Sequence, residues 1–206
     1  SVKREVGPEI GIARLLAMTT FFTASTAGPV IFPLERRIGT SDRLLAAPMA
    51  LITLLIGKTL VGAFFGTVVS FVPLLAGLIF FDLTVVSPWL LFAGVVLASL
   101  AFSCLGVVFG SFPTRAVGQV MMPSTLIRWP LMFISGIFVP LNEMSPAMRA
   151  ASHLSPLTYA QDLINHSLLG EGVLNPWLDL GVLCATSALF LLVSRQMQLR
   201  SRRLGY

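Results

Sequence analysis

Few side chains in this 206-residue sequence are of a kind and at a spacing that could do covalent chemistry. Gly57-Lys58-Thr59 has the ending of a phosphate-binding loop, in which the lysine meets nucleotide phosphates. That motif needs a glycine five residues before Gly57, where Ile52 stands, and the triplet interrupts continuous apolar sequence instead of following a strand. ATP hydrolysis by this chain is therefore not expected. His153 and His166 are 13 residues apart, with no cysteine or paired carboxylate at ligand spacing. No metal site and no cofactor is expected from them. Neither a His-Glu-x-x-His nor a Gly-x-Ser-x-Gly occurs. Cys104 and Cys184 lie in apolar runs and read as small buried side chains. What remains is Arg128, a lone cation inside an apolar stretch and the most costly residue in the chain.

The elements that must position such residues follow from composition. Hydrophobic residues make up 55% of the chain and charged residues only 11%, where a soluble domain carries about 25% charged. So little charge cannot cover a soluble globule, and so much apolar surface excludes disorder. The expected fold class is an all-α integral membrane protein, a polytopic helix bundle forming one membrane domain over 1–206. Spanning a bilayer takes about 20 apolar residues in a helix. Five stretches satisfy this: 12–34, 59–81, 88–111, 116–139 and 177–194.

Charge asymmetry orients them, because cytoplasmic loops are enriched in Lys and Arg. Nine basic residues, including Arg36, Arg37, Lys58, Arg115 and the tail from Arg195 to Arg203, fall on one side, against Lys3, Arg4 and Arg149 on the other. The first set marks the cytoplasm and puts the C-terminus there. An odd number of spans starting outside predicts a six-span subunit whose first helix precedes Ser1. The basic tail reads as a topology anchor on anionic lipid, and without aromatic interleaving it does not suggest nucleic acid.

The longest stretch between spans predicts two short amphipathic helices within 145–169, resting in or on the outer leaflet. Ser145-Pro146 and Ser155-Pro156 are helix starts, since serine caps and Pro suits the first position. Leu157, Ala160, Leu163, Ile164 and Leu168 form one apolar face, and Gly170 is the expected stop. Gly62 with Gly66, and Gly106 with Gly110, have the spacing that lets membrane helices approach closely, within one subunit or between two. Arg128 lies between Pro123 and Pro130. Prolines free helix carbonyls that can receive a guanidinium, so Arg128 reads as part of a substrate path, as a lock between helices, or as a snorkelling side chain.

The most specific signal lies at 35–48. Gly39 offers a turn, Thr40 or Ser41 a cap, and the following leucines a short amphipathic helix ending near Pro48. Such a cytoplasmic surface element can dock a soluble partner. Here the sequence resembles the permease subunits of type-2 ABC transporters, in which a span is followed by an E-R-x-x-G-T pattern and a Leu-rich helix. Glu35, Arg36, Gly39 and Thr40 match it. A second resemblance runs from Ser135-Gly136 through Pro140 to Pro156-Leu157-Thr158-Tyr159. The resemblance implies six spans in the cell membrane and a dimer with an identical or paralogous permease. Two separate ATP-binding subunits would drive export by alternating access. It also implies that Glu35, Arg36, Arg37, Gly39 and Thr40 belong to a coupling helix element seated on the ATPase, and that 145–169 is re-entrant.

Other classes fare worse on the residues. An intramembrane enzyme needs several polar groups at one depth, and Arg128 has no intramembrane His or carboxylate partner. An ATP-independent secondary transporter or channel is the alternative, but it commonly shows inverted repeats and midplane carboxylates, and neither is evident.

Overall fold

In the computed structural model, residues 7–40, 50–81, 83–114, 116–139 and 144–203 are described. All regular structure among them is helical. In chain order the helices are α1 (Pro8–Arg37), α2 (Leu51–Phe80), α3 (Pro88–Gly110), α4 (Val117–Ile134), α5 (Pro146–Ser152), α6 (Pro156–Leu169) and α7 (Pro176–Arg203). Five of the seven begin with proline, whose missing N–H would have been unpaired at that position anyway. Ahead of α7, Asn175 Oδ1 accepts the Trp177 N–H at 3.1 Å and acts as a cap.

Among the described residues, four helices are long and apolar enough to cross a membrane: Glu9–Arg37, Leu51–Phe80, Pro88–Gly110 and Pro176–Arg200. The expected span at 116–139 is not among them. It is an 18-residue helix that carries Gln119, Arg128 and two prolines and stops at Ile134. Gly136 follows with φ +90°, a conformation that suits glycine. The second span also starts earlier than the sequence suggests, at Leu51 instead of 59. Lys58 does not mark its edge, because a partner on α1 takes up its charge.

The centre of the bundle is α3, packed on α1, α2, α6 and α7. Its close crossing with α1 depends on missing side chains. A Cβ on Gly106 would lie 2.5 Å from the Ser25 carbonyl oxygen, and one on Gly110 2.6 Å from that of Gly28. A Cβ on Gly28 would collide with the Gly106 backbone. Farther along, Phe21 and Phe102 meet edge to face, with ring centroids 5.0 Å apart. On α2, Gly66 faces Ala24, while Gly62 faces Ala27 and Ser103. Small hydroxyls finish this seam: Thr20 and Ser70 share a 2.6 Å hydrogen bond, and Ser103 Oγ donates to Thr59 O at 2.7 Å. All four glycines of the two expected pairs therefore sit at contacts inside one chain.

The segment 145–169 forms two helices, α5 and α6, and α6 is not a surface helix of the bundle. It is buried among α1, α3 and α7. The expected apolar face, Leu157, Ala160, Leu163, Ile164 and Leu168, is buried, and so are Thr158, Gln161, Asp162 and Ser167. Gly94 on α3 makes room: a Cβ there would be 2.7 Å from Leu163 Cδ2. Most of the polar groups are satisfied locally, with Thr158 Oγ1 donating to Ser152 O and Ser167 Oγ to Leu163 O. The α6 end is tied to α3, since the Ser87 N–H donates to Ser167 O at 3.0 Å. Ser145 caps α5 through the Met148 N–H, whereas the hydroxyl of Ser155 has no partner. Gly170 ends α6 with φ +71° and its N–H on His166 O. Trp89 and Trp177, near the first residues of α3 and α7, are exposed, as suits aromatic rings at a membrane boundary.

Candidate functional site

Two polar constellations stand out in the apolar bundle, one within it and one at the end where α1 finishes. The first centres on Arg128 of α4, which is only 2% exposed. Its Nη2 donates to Ser25 O at 2.6 Å and its Nη1 to Thr26 Oγ1 at 3.1 Å. Its Cζ lies 5.7 Å from the centroid of the Phe109 ring on α3, within cation–π range. The Nε has no partner.

Why the Ser25 carbonyl is available follows from the sequence. An α-helix pairs C=O(i) with N–H(i+4), and the residue four after Ser25 is Pro29, which has no N–H. The sequence points to Pro123 or Pro130, on the same helix, as what frees a carbonyl for Arg128. Instead it comes from α1, and the guanidinium takes the place of the missing amide. Arg128 thus joins α4 to the Pro29 turn of α1 and reaches α3 through Phe109. Without Arg128 the Ser25 carbonyl would be buried with no donor, at a cost of about 1–3 kcal/mol, so the guanidinium holds this crossing together.

The second constellation gathers the residues of the 35–40 turn. Glu35 forms an ion pair with Lys58 of α2, both partly buried. Lys58 Nζ also lies 3.7 Å from the Phe32 ring centroid. Arg36 Nη1 donates to Phe112 O and, at 3.3 Å, to Thr114 O, both in the connection between α3 and α4. Glu35 and Arg36 therefore act inside the chain: one clamps α1 to α2, the other holds the α3–α4 connection. Arg37 is exposed. Gly39 has φ +75° and open space where a Cβ would be, so its role there is the turn itself. Thr40 follows that turn, and the remainder of the expected coupling segment, 41–48, lies outside the described residues.

Sequence reasoning missed Ser25, Thr26, Gly28 and Pro29 on α1. A signal was present, because Pro29 four residues after Ser25 announces one freed carbonyl. Nothing local announced Lys58 as the partner of Glu35. Gly57-Lys58-Thr59 lies within continuous α2. Cys104 is buried and Cys184 exposed, both free. Among the described residues no group of three or more His, Cys, Asp or Glu is arranged to hold a metal.

Residues 4–169 match the family model described as ABC-2 type transporter. The chain is 32% identical over 100 residues to nodulation protein J of Rhizobium leguminosarum bv. viciae, a match covering 48% of this chain and 38% of that protein. It is 31% identical over 93 residues to nodulation protein J of Neorhizobium galegae, covering 45% and 35%. With the inner membrane transport permease YadH of Escherichia coli (strain K12) it shares 27% identity over 144 residues, covering 69% and 54%. The chain thus spans only about a third to a half of the length of these curated relatives.

Proposed function

The chain belongs to the ABC-2 type transporter family, and we propose that it forms the membrane-spanning permease of an ABC exporter in the cell membrane. The observation that carries this reading is the extent of the family match. It takes in α1, the 35–40 turn and α2 to α6. A relative bearing the name inner membrane transport permease supports the location. ATP is hydrolysed by a separate ATP-binding subunit, in two copies, and the permease pairs with a second permease, identical or paralogous. In this reading α4 is a fifth crossing of a six-span subunit. The Arg36 end of the bundle and the C-terminus face the cytoplasm, and α5 and α6 lie at the outer end.

Alternating access needs a route from the ATPase to the helices. Glu35–Lys58 and Arg36 with the 112–114 backbone make α1, α2 and the α3–α4 connection one mechanical unit at the cytoplasmic end. Motion of the coupling segment then moves all three together. Along α1 the next weak point is the Ser25–Pro29 turn, which Arg128 ties to α4. Arg37, exposed beside the turn, meets acidic groups of the ATP-binding subunit, where a charge pair sets register more than affinity.

The test is co-purification of the complete permease with its candidate ATP-binding subunit in detergent, using wild type, Arg37→Glu and Glu35→Gln. Retention by wild type and loss with Arg37→Glu is the expected result. Equal retention by Arg37→Glu removes Arg37 from the contact and leaves the family reading standing. No retention by any variant sinks the ABC mechanism in favour of an ATP-independent transporter or channel.

A further inference from the structure

The partners of Arg128 are all neutral: the Ser25 carbonyl, the Thr26 hydroxyl and the Phe109 ring. Helices α2, α3 and α4 carry no carboxylate, and those of α1, Glu9 and Glu35, stand near its two ends. Asp162 of α6 accepts the Val173 and Leu174 N–H groups instead. Among the described residues this cation, 2% exposed, therefore has no counter-ion bonded to it, although buried charges are ordinarily paired.

Thr26 also lines a groove of about 520 Å³ along α1 and α2, a volume typical of ligand pockets. Thr23 is the other polar residue of the lining, and Phe22, Val30, Val61 and Phe65 supply apolar wall. Phe22 in turn meets Trp129 of α4 edge to face, with ring centroids 6.2 Å apart. Thr26 Oγ1 accepts from Arg128 and donates its own hydrogen to Phe22 O. A hydroxyl hydrogen can rotate, so an anionic oxygen in the groove can draw it away from Phe22 O. The guanidinium behind the hydroxyl makes it a stronger donor. Depth says what kind of molecule carries that oxygen. Thr26 stands 11 residues before Arg37, about 16 Å along α1. A hydrocarbon layer is roughly 30 Å thick, so with Arg37 at its surface the hydroxyl is near the midplane. The headgroup of a resident phospholipid stays at the surface, whereas a molecule in transit passes this depth.

We propose that the groove binds an amphipathic anion, its oxyanion head at Thr23 and Thr26 in the field of Arg128 and its apolar part along Phe22, Val30, Val61 and Phe65. This names the substrate class of the permease and so rests on the transport reading. Arg128 is a positioning residue here, acting through Thr26 and through its charge, which a low-dielectric setting leaves poorly screened.

Binding to the purified full-length permease in neutral detergent, with no ATP-binding subunit present, tests it. The probes are ω-bromolauryl sulfate, whose head is charged at every working pH, and ω-bromolauryl alcohol, which has the same tail. Bromine quenches indole fluorescence on contact, and Trp129 is the reporter in a Trp89→Phe/Trp177→Phe background. Saturable quenching by the sulfate, about tenfold tighter than by the alcohol, is expected. Thr26→Val is expected to abolish that preference without changing quenching by the alcohol. Arg128→Lys is expected to keep more of the preference than Arg128→Gln. Should the Arg128 variants fail to fold, the sulfate–alcohol comparison and Thr26→Val decide alone. Equal binding of the two probes, or quenching that never saturates, overturns the proposal: another helix, a second permease or bulk lipid then covers the groove. Saturable quenching by brominated phosphatidylglycerol, displaced by the sulfate, assigns the groove to a resident lipid and overturns it as well. Either negative result leaves the co-purification test of the transport reading untouched.

Discussion

Arg128 donates to the carbonyl oxygen of Ser25 at 2.6 Å, and it is Pro29, four residues on, that leaves this oxygen without its helical partner. A side chain on one helix thereby completes the backbone ladder of another. The arrangement explains how a buried cation is tolerated, and it makes the first prediction conditional on Pro29.

Arg128→Met is expected to lower the melting temperature of the protein in detergent. Pro29→Ala restores an amide that competes for Ser25 O, so Arg128→Met should do less damage in the Pro29→Ala background. The coupling in this double-mutant cycle is expected on the order of 1 kcal/mol. Strict additivity means that the two residues do not share this carbonyl.

Glu35 and Lys58 invite a second cycle. Glu35→Gln alone leaves Lys58 half sunk beside Phe32 without its counter-charge. Removing both charges with Glu35→Gln/Lys58→Met should destabilise less than either single change. Thermal unfolding at low and high salt checks this. Solvent-exposed pairs are worth only about 0.2–1 kcal/mol, so a cycle energy near zero at both salts shows that the clamp is weak.

Glycine positions divide cleanly. Gly28→Ala and Gly106→Ala force a Cβ into the facing backbone, and overpacking of this kind costs about 1–3 kcal/mol. Gly118→Ala and Gly181→Ala meet nothing within 4 Å and should leave the melting temperature unchanged or raise it. Equal behaviour of the two pairs contradicts the close α1–α3 crossing.

Gly170→Ala keeps ordinary van der Waals distances to Val86, so any loss reports its φ of +71°. Roughly 1 kcal/mol is expected, from the left-handed backbone alone. Gly170→Asn, which tolerates that region better, should recover part of it.

Much of the fold could be read in the sequence where signals are local. Pro88 and Pro156 open their helices, Ser145 caps α5, Gly170 closes α6, and the apolar face of α6 faces inward. What was not legible depends on distant partners. Lys58 looked like the edge of a span because its counter-charge, Glu35, is on another helix. Asp162 and Thr158 lie off the apolar face that the sequence marks on α6, and their hydrogen bonds to Val173, Leu174 and Ser152 follow only from the tertiary path. Arg128 drew notice for its cost, yet its acceptor lies 103 residues away. The turn at Gly39 was visible, whereas the inward use of Glu35 and Arg36 needed α2 and the 112–114 backbone in place.

Helix lengths carry one more consequence. At 1.5 Å per residue, the 30 residues of α1 and of α2 each run about 45 Å, whereas the 23 residues of α3 run about 35 Å. A hydrocarbon layer is roughly 30 Å thick. The central helix fits it nearly upright, while its two longer neighbours must lean or protrude together, since their glycines and hydroxyls bind them side by side. Bilayer thickness therefore acts unequally on this bundle: thinning it tilts the α1–α2 pair about α3 and swings the Arg36 end sideways.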